Sequence, residues 1–169
     1  DELTITSSFT LGALFFINDG FLDIITELNF NGEIDLELTV SDGTDSAIQN
    51  LNITVNAVND APVWTDIPNQ TVDEDCMDCV GFPLDLNTYI SDVDGDVLTI
   101  TPSIVAGATF TVEAGILSVE LEQHFNGVID LELTANDIEF FITKSLNINI
   151  LPINDPPSFL INNIDSIDE

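Results

Sequence analysis

The sequence predicts an all-β protein made of tandem Greek-key β-sandwiches arranged end to end. Three observations carry that prediction. Runs rich in Val, Ile, Leu and Thr alternate apolar and polar residues, as in "VIDLELTAND" and "SLNINILPIN", which is the period of a strand with one buried face. Ala-Gly, Asp-Gly and Asn-Gly pairs punctuate the runs at 94–95, 106–107, 114–115 and 126–127, where the chain must turn tightly. Finally, the chain repeats itself: "FNGEIDLELTVSD" from Phe30 returns as "FNGVIDLELTAND" from Phe125, an offset of 95 residues.

The same offset links "NDAPVW" from Asn59 to "NDPPSF" from Asn154, and "DELTIT" from Asp1 to "DVLTIT" from Asp96. It also links "TVDE" (71–74) to "SIDE" (166–169). A constant period defines the organisation. Residues 63–157 make one complete repeat, residues 1–62 the later part of a preceding one, and residues 158–169 the start of a third. On this reading the chain is a stretch of a longer array.

Within the complete repeat, strands are expected at 63–72, 80–90, 97–105, 108–113, 116–122, 127–137 and 140–152, with no helix. The first follows the "NDAP" linker. The third opens after Asp94-Gly95, Ala106-Gly107 and Ala114-Gly115 separate the next three, and Asn126-Gly127 opens the sixth. Seven short strands in about 95 residues fit an antiparallel Greek-key sandwich. The partial repeat 1–62 holds counterparts of the last five strands only. Its sandwich is completed either by more of the same long chain or by strands from another chain. The tail "SFLINNIDSIDE" supplies a first strand but not a second.

Charge narrows the function classes. The chain has 31 acidic residues, a single basic one (Lys144) and a net charge of −30. Nucleic acid and anionic membranes need Lys and Arg, so neither is an expected partner. Such self-repulsion opposes a compact state unless cations screen or bind it. Disorder is excluded because 44% of the residues are apolar, enough to build a core. No apolar stretch approaches the roughly 18 residues of a membrane span, so no membrane insertion is expected.

The acids are not spread evenly. "SDVDGD" (91–96) places Asp92, Asp94 and Asp96 around Gly95. It is no EF-hand, since Val97 stands at the sixth position from Asp92 and Ser103 at the twelfth. It is still a cluster of hard oxygen donors, and calcium takes 6–8 such donors in flexible geometry. The competing reading is a solvated acidic turn shaped by Asp94-Gly95. Scattered acids such as Glu33, Glu37, Asp130 and Glu132 suit adaptation to salt, which leaves the clusters at 73–75 and 92–96 unexplained.

"LSVELEQHFNGVIDLELTAND" and "LNINILPINDPPSF" resemble the cadherin repeat, with "DED" (73–75), "DVD" (92–94) and the "NDAP" and "NDPP" linkers in matching places. The chain resembles more closely the bacterial cadherin-like, Ig-like tandem repeats of large secreted adhesins. That resemblance implies calcium at the junctions between consecutive domains. At the first junction it points to Glu27, Asn59 and Asp60, with Asp92, Asp94 and Asp137. At the second it points to Glu74, Glu122, Asn154 and Asp155. Where cadherins carry an LDRE-type turn this chain has "TELN" (26–29) and "LEQH" (121–124), and each linker has one Asp. Fewer or weaker ions than in cadherins are therefore expected.

Cys76 and Cys79 form a lone CxxC with several readings: a small loop disulfide in an oxidising compartment, free or intermolecularly linked thiols, a redox pair, or half a zinc site. A redox pair belongs at a helix start in a βαβ pattern, which the sequence lacks. His124 is assigned a surface or turn role. Trp64, whose counterpart is Phe159, is assigned to packing at the start of the sandwich, and Phe30 and Phe125 to core or corner positions. Asn52 and Asn69 head glycosylation sequons.

The expected function is a calcium-stiffened spacer in a long extracellular adhesin or cell-surface fibre. Its partners would be neighbouring repeats, like chains, or cell-surface polysaccharide. The alternatives are a carbohydrate- or self-binding module, or a filament subunit completed by strand donation. Catalysis is not expected: 31 acids produce glycosidase-like carboxylate pairs by chance, and the sequence carries no pocket signal beside them.

Overall fold

A computed structural model describes residues 4–8, 12–77, 79–157 and 159. Apart from Phe159, the expected third repeat (158–169) lies outside the described residues, and so do the first three residues of "DELTIT". The chain divides into two compact units, Asp1–Asp60 and Ala61–Glu169. Each is described by itself. Both are all-β, and no helix among the described residues is long and apolar enough to cross a membrane.

The first unit contains β1 (Thr4–Ser7), β2 (Ala13–Asn18), β3 (Phe21–Thr26), β4 (Gly32–Ser41) and β5 (Ser46–Val55). One sheet runs β1-β4-β5, and β2 and β3 form an antiparallel hairpin. Alternation turns Ile34 and Leu36 of β4 inward, where they are buried with Ala13. Many other apolar side chains stay exposed, among them Leu14, Phe16, Phe21, Ile25 and Leu28.

The second unit contains β6 (Val63–Trp64), β7 (Gln70–Asp73), β8 (Leu84–Asp85), a single 3-10 turn (Leu86–Thr88) and β9 (Ile90–Ser91). It continues with β10 (Thr99–Pro102), β11 (Ala108–Glu113), β12 (Ile116–Leu121), β13 (Gly127–Asn136) and β14 (Phe141–Leu151). One sheet has the order β10-β13-β14-β7, another β11-β12-β8, and β6 pairs with β9. Ile129, Leu131, Leu133 and Ala135 of β13 and Leu146, Ile148 and Ile150 of β14 point into the core. Val72, Leu86, Ile100, Phe110 and Leu117 close it from the other strands. Each fully buried Leu or Ile contributes about 1.5–3 kcal/mol of hydrophobic stabilisation.

The strand registers repeat with the sequence. Ile34 faces Ile53 as Ile129 faces Ile148, and Thr4 faces Ser41 as Thr99 faces Asn136. The two phenylalanine corners repeat as well. Gly12 and Gly107 both adopt positive φ, and a Cβ on either would run into the ring of Phe30 or Phe125 respectively. Those rings need glycine beneath them.

Two expected strands are broken, and proline accounts for much of it. Segment 63–72 becomes β6 and β7, which pair with β9 and β14 respectively, so the chain changes partner across Pro68, which has no N–H to offer a ladder. Segment 80–90 reduces to β8, the 3-10 turn and β9. Pro83 interrupts the ladder, and Asp85 caps the turn by accepting the Asn87 N–H at 3.0 Å. The expected strand 97–105 shortens to β10, an edge strand that ends on Pro102.

Candidate metal centre

The "SDVDGD" loop follows β9 and leads to β10. Asp92 Oδ1 accepts the backbone N–H groups of Asp94, Gly95 and Asp96 at 2.9, 3.1 and 3.4 Å. One carboxylate oxygen thus folds the loop around itself. The other oxygen, Oδ2, is buried and has no hydrogen-bond partner among the described residues. Asp92 and Asp96 line a cavity of about 600 Å³ with Asn87, Ile100 and Gly115. Asp94 and Asp96 are exposed.

Asp137 lies at the β13–β14 hairpin and is 2% exposed. Its Oδ1 accepts the N–H groups of Glu139 and Phe140 at 2.9 and 2.6 Å. It shapes that hairpin and is not among the residues lining the loop's cavity. Glu27, Asn59 and Asp60 belong to the first unit. Glu27 is exposed and opens the turn before β4, its N–H bonded to the Gly12 carbonyl at 2.9 Å. Asn59 and Asp60 are half-buried at the end of that unit.

A second group of predicted residues gathers around the parallel pairing of β7 with β14, which sets Asp73 beside Leu151. The Glu74 N–H then reaches the Leu151 carbonyl at 2.8 Å. The Glu74 side chain is 3% exposed, and both its oxygens are partnered, Oε1 by the Ile153 N–H at 2.7 Å and Oε2 by Asn126 Nδ2 at 2.8 Å. Glu74 therefore clamps the segment after β14 to the turn before β13. Glu122 is exposed, its N–H bonded to the Gly107 carbonyl at 2.8 Å. Asn154 donates from Nδ2 to the Asp155 carbonyl at 3.3 Å.

Asp155 has an unforeseen neighbour. Its Oδ2 lies 2.9 Å from His124 Nδ1, and Asp75 Oδ2 lies 3.1 Å from the same nitrogen. Sequence reading chose Glu74 from "DED" and set His124 aside. The one available signal was that the only imidazole of the chain ends the acidic turn "LEQH".

Cys76 and Cys79 are joined by a disulfide, S–S 1.96 Å. Trp64, Tyr89 and Phe125 all pack against the core of the second unit.

The family model for the bacterial Ig domain matches residues 59–149. Comparison with curated proteins gives no match. Among solved structures the chain is similar to an endo-fucoidan hydrolase from glycoside hydrolase family 107, with 24% identity over 90% of this chain and 24% of that one, TM-score 0.44. It is also similar to the protocadherin GammaB4 extracellular domain, with 16% identity over 89% of this chain and 27% of that one, TM-score 0.48. A third is Drosophila N-cadherin, with 15% identity over 90% of this chain and 42% of that one, TM-score 0.34. The chain spans about a quarter of the length of the first two.

Proposed function

The chain belongs to the bacterial Ig domain family, and from that premise we propose that it is a calcium-stiffened spacer of a long extracellular adhesin or surface fibre. Its role on this reading is mechanical, not catalytic. Its partners are neighbouring repeats, with like chains or cell-surface polysaccharide as further contacts. The family supports a surface module, and the repeat supports an array whose product is length.

The observation that carries the calcium part is the buried, partnerless Oδ2 of Asp92. A carboxylate oxygen withdrawn from water is costly unless a donor or a cation meets it. Asp92, with Asp94 and Asp96 beside it, offers the hard oxygen donors that calcium prefers. Bound there, the ion would supply positive charge to a chain of net charge −30 and relieve the repulsion among neighbouring carboxylates.

The test is calorimetry with calcium on EDTA-stripped protein at about 0.15 M salt, which suppresses diffuse ion attraction. Asp92→Asn combined with Asp94→Asn keeps an oxygen for the loop N–H groups and removes charge. The expected result is saturable micromolar-to-millimolar binding that the double variant weakens. Unchanged affinity in the variant would move calcium away from this loop.

A second reading, a unit completed by strand donation, rests on the first unit. β7 pairs with Ile148, Asn149 and Ile150 of β14. Their counterparts on β5 are Ile53, Thr54 and Val55, and among the described residues β5 pairs only with β4. That edge can accept a strand.

A further inference from the structure

Away from the "SDVDGD" loop, one cluster among the described residues mixes nitrogen with oxygen donors. The ligand atoms of Asp75, His124 and Asp155 all lie within 4.8 Å of one another. We propose that these three side chains form a site for a zinc-class divalent cation, distinct in chemistry from the calcium reading.

The separations suit such an ion. Zinc bonds of about 2.0–2.2 Å put neighbouring ligand atoms roughly 2.9 Å apart at a right angle and roughly 3.4 Å apart in a tetrahedron. His124 Nδ1 stands 2.9 Å from Asp155 Oδ2 and 3.1 Å from Asp75 Oδ2. The two carboxylate oxygens lie within 4.8 Å of one another, and one ion reaches all three donors once the carboxylates close on it.

The donors are also held in place. Asp75 Oδ1 accepts the His124 backbone N–H at 2.9 Å, which leaves Oδ2 for the imidazole side. Asp75 follows Glu74, and Asp155 comes two residues after Ile153, whose N–H the buried Glu74 holds. The clamp that joins β7 to the segment after β14 therefore sets the spacing of two of the three ligands.

The imidazole decides the ion class. Sites made only of carboxylates and carbonyls suit calcium and magnesium, whereas a neutral imidazole suits zinc, nickel and copper. The first unit has Asn29 where the second has His124, an offset of 95. Both residues adopt the left-handed conformation, φ 58° and 59°. The same turn thus occurs in both units, but only one carries the nitrogen donor. Three protein ligands leave further positions for water or for an outside donor. Only Asp155 is shared with the oxygen donors that the cadherin resemblance points to, so the proposal does not depend on calcium binding at Asp92.

The intact chain is titrated with zinc chloride in millimolar calcium chloride and about 0.15 M sodium chloride. The imidazole nitrogens are followed by NMR, and the single histidine makes the signal unambiguous. The expected result is a shift of the Nδ1 resonance that saturates at one zinc per chain. Calorimetry on His124→Asn, which keeps a residue suited to positive φ, should show zinc affinity lower by roughly tenfold or more. Its amide NMR spectrum away from Asp75, His124 and Asp155 should match that of the unaltered chain, which shows that the fold is kept. Zinc binding that leaves Nδ1 unshifted would overturn the proposal. So would equal zinc affinity in His124→Asn, or displacement of zinc by calcium at equal concentration.

Discussion

The two units run nearly the same strands in the same registers, yet they bury very different amounts of them. Leu146 is fully buried, while its counterpart Leu51 is 40% exposed. Ile100 is 8% exposed, while its counterpart Ile5 is 40% exposed. Strand pairing is shared, so it does not explain the difference. The second unit adds β6 to β9 and the 3-10 turn, which bring Val72 and Leu86 into the core. The sequence of a strand sets its pattern and register, and the covering strands set how much that pattern stabilises.

The sharpest test of that contrast is one substitution made twice. Leu146→Ala should destabilise the second unit by about 2–5 kcal/mol, the range for truncating a fully packed leucine. Leu51→Ala should destabilise the first by well under half as much, because much of its side chain already meets water. Hydrogen exchange resolved by segment during urea unfolding separates the two units. Equal losses would mean that the face carrying Leu51 is covered in solution.

A smaller effect probes the strand edge. A synthetic peptide of residues 64–75, which carries β7, should protect the amides of Ile53 to Val55 in the intact chain. At about ten times its Kd the gain would be about 1.4 kcal/mol. Slower exchange confined to that edge, absent with a scrambled peptide, would favour strand donation. No protection would leave the spacer reading without a rival at this edge.

The same contrast shows what could be read from sequence. β13 and β14 were legible because ten and eleven residues of alternation outvote any local exception. β8, β9 and the 3-10 turn were not. They are two or three residues long and depend on the local chemistry of Pro83 and Asp85, which carries no period. The candidate sites divide in the same way. Asp92, Asp94 and Asp96 are close in sequence and visible as a cluster. Asp75 and Asp155 are 49 and 31 residues from His124. The parallel pairing of β7 with β14 and the Glu74 clamp beside it bring them to it. That pairing crosses the whole repeat and leaves no local signature. At the level of family the reading was sound: the repeat motifs named a bacterial Ig-like module, and the family match, residues 59–149, covers one copy of each.

The smallest effect compares two exposed carboxylates, one in each unit. Asp42 is held below the usual carboxylate range by the backbone N–H groups of Asp45 and Thr44, which its Oδ1 accepts at 2.8 and 2.9 Å. Asp66 is lowered by Lys144, whose Nζ lies 2.7 Å from Oδ1, first through the hydrogen bond and then through its charge. Both folded values fall below the unfolded ones. Each group therefore adds stability above the unfolded pKa of about 3.9, and that stability is lost as pH falls through the folded value. The causes differ in their response to salt. A hydrogen bond from fixed backbone N–H groups stays in place, whereas an exposed ion pair is screened. Carboxyl NMR titration at low salt and at about 0.5 M salt should move Asp66 upward towards its ordinary value and leave Asp42 where it is. Lys144→Met should move Asp66 in the same direction at any salt. If Asp42 rose as far as Asp66, a screened charge, and not its fixed backbone donors, would be holding it down; screening the net charge of −30 would move both carboxylates the other way.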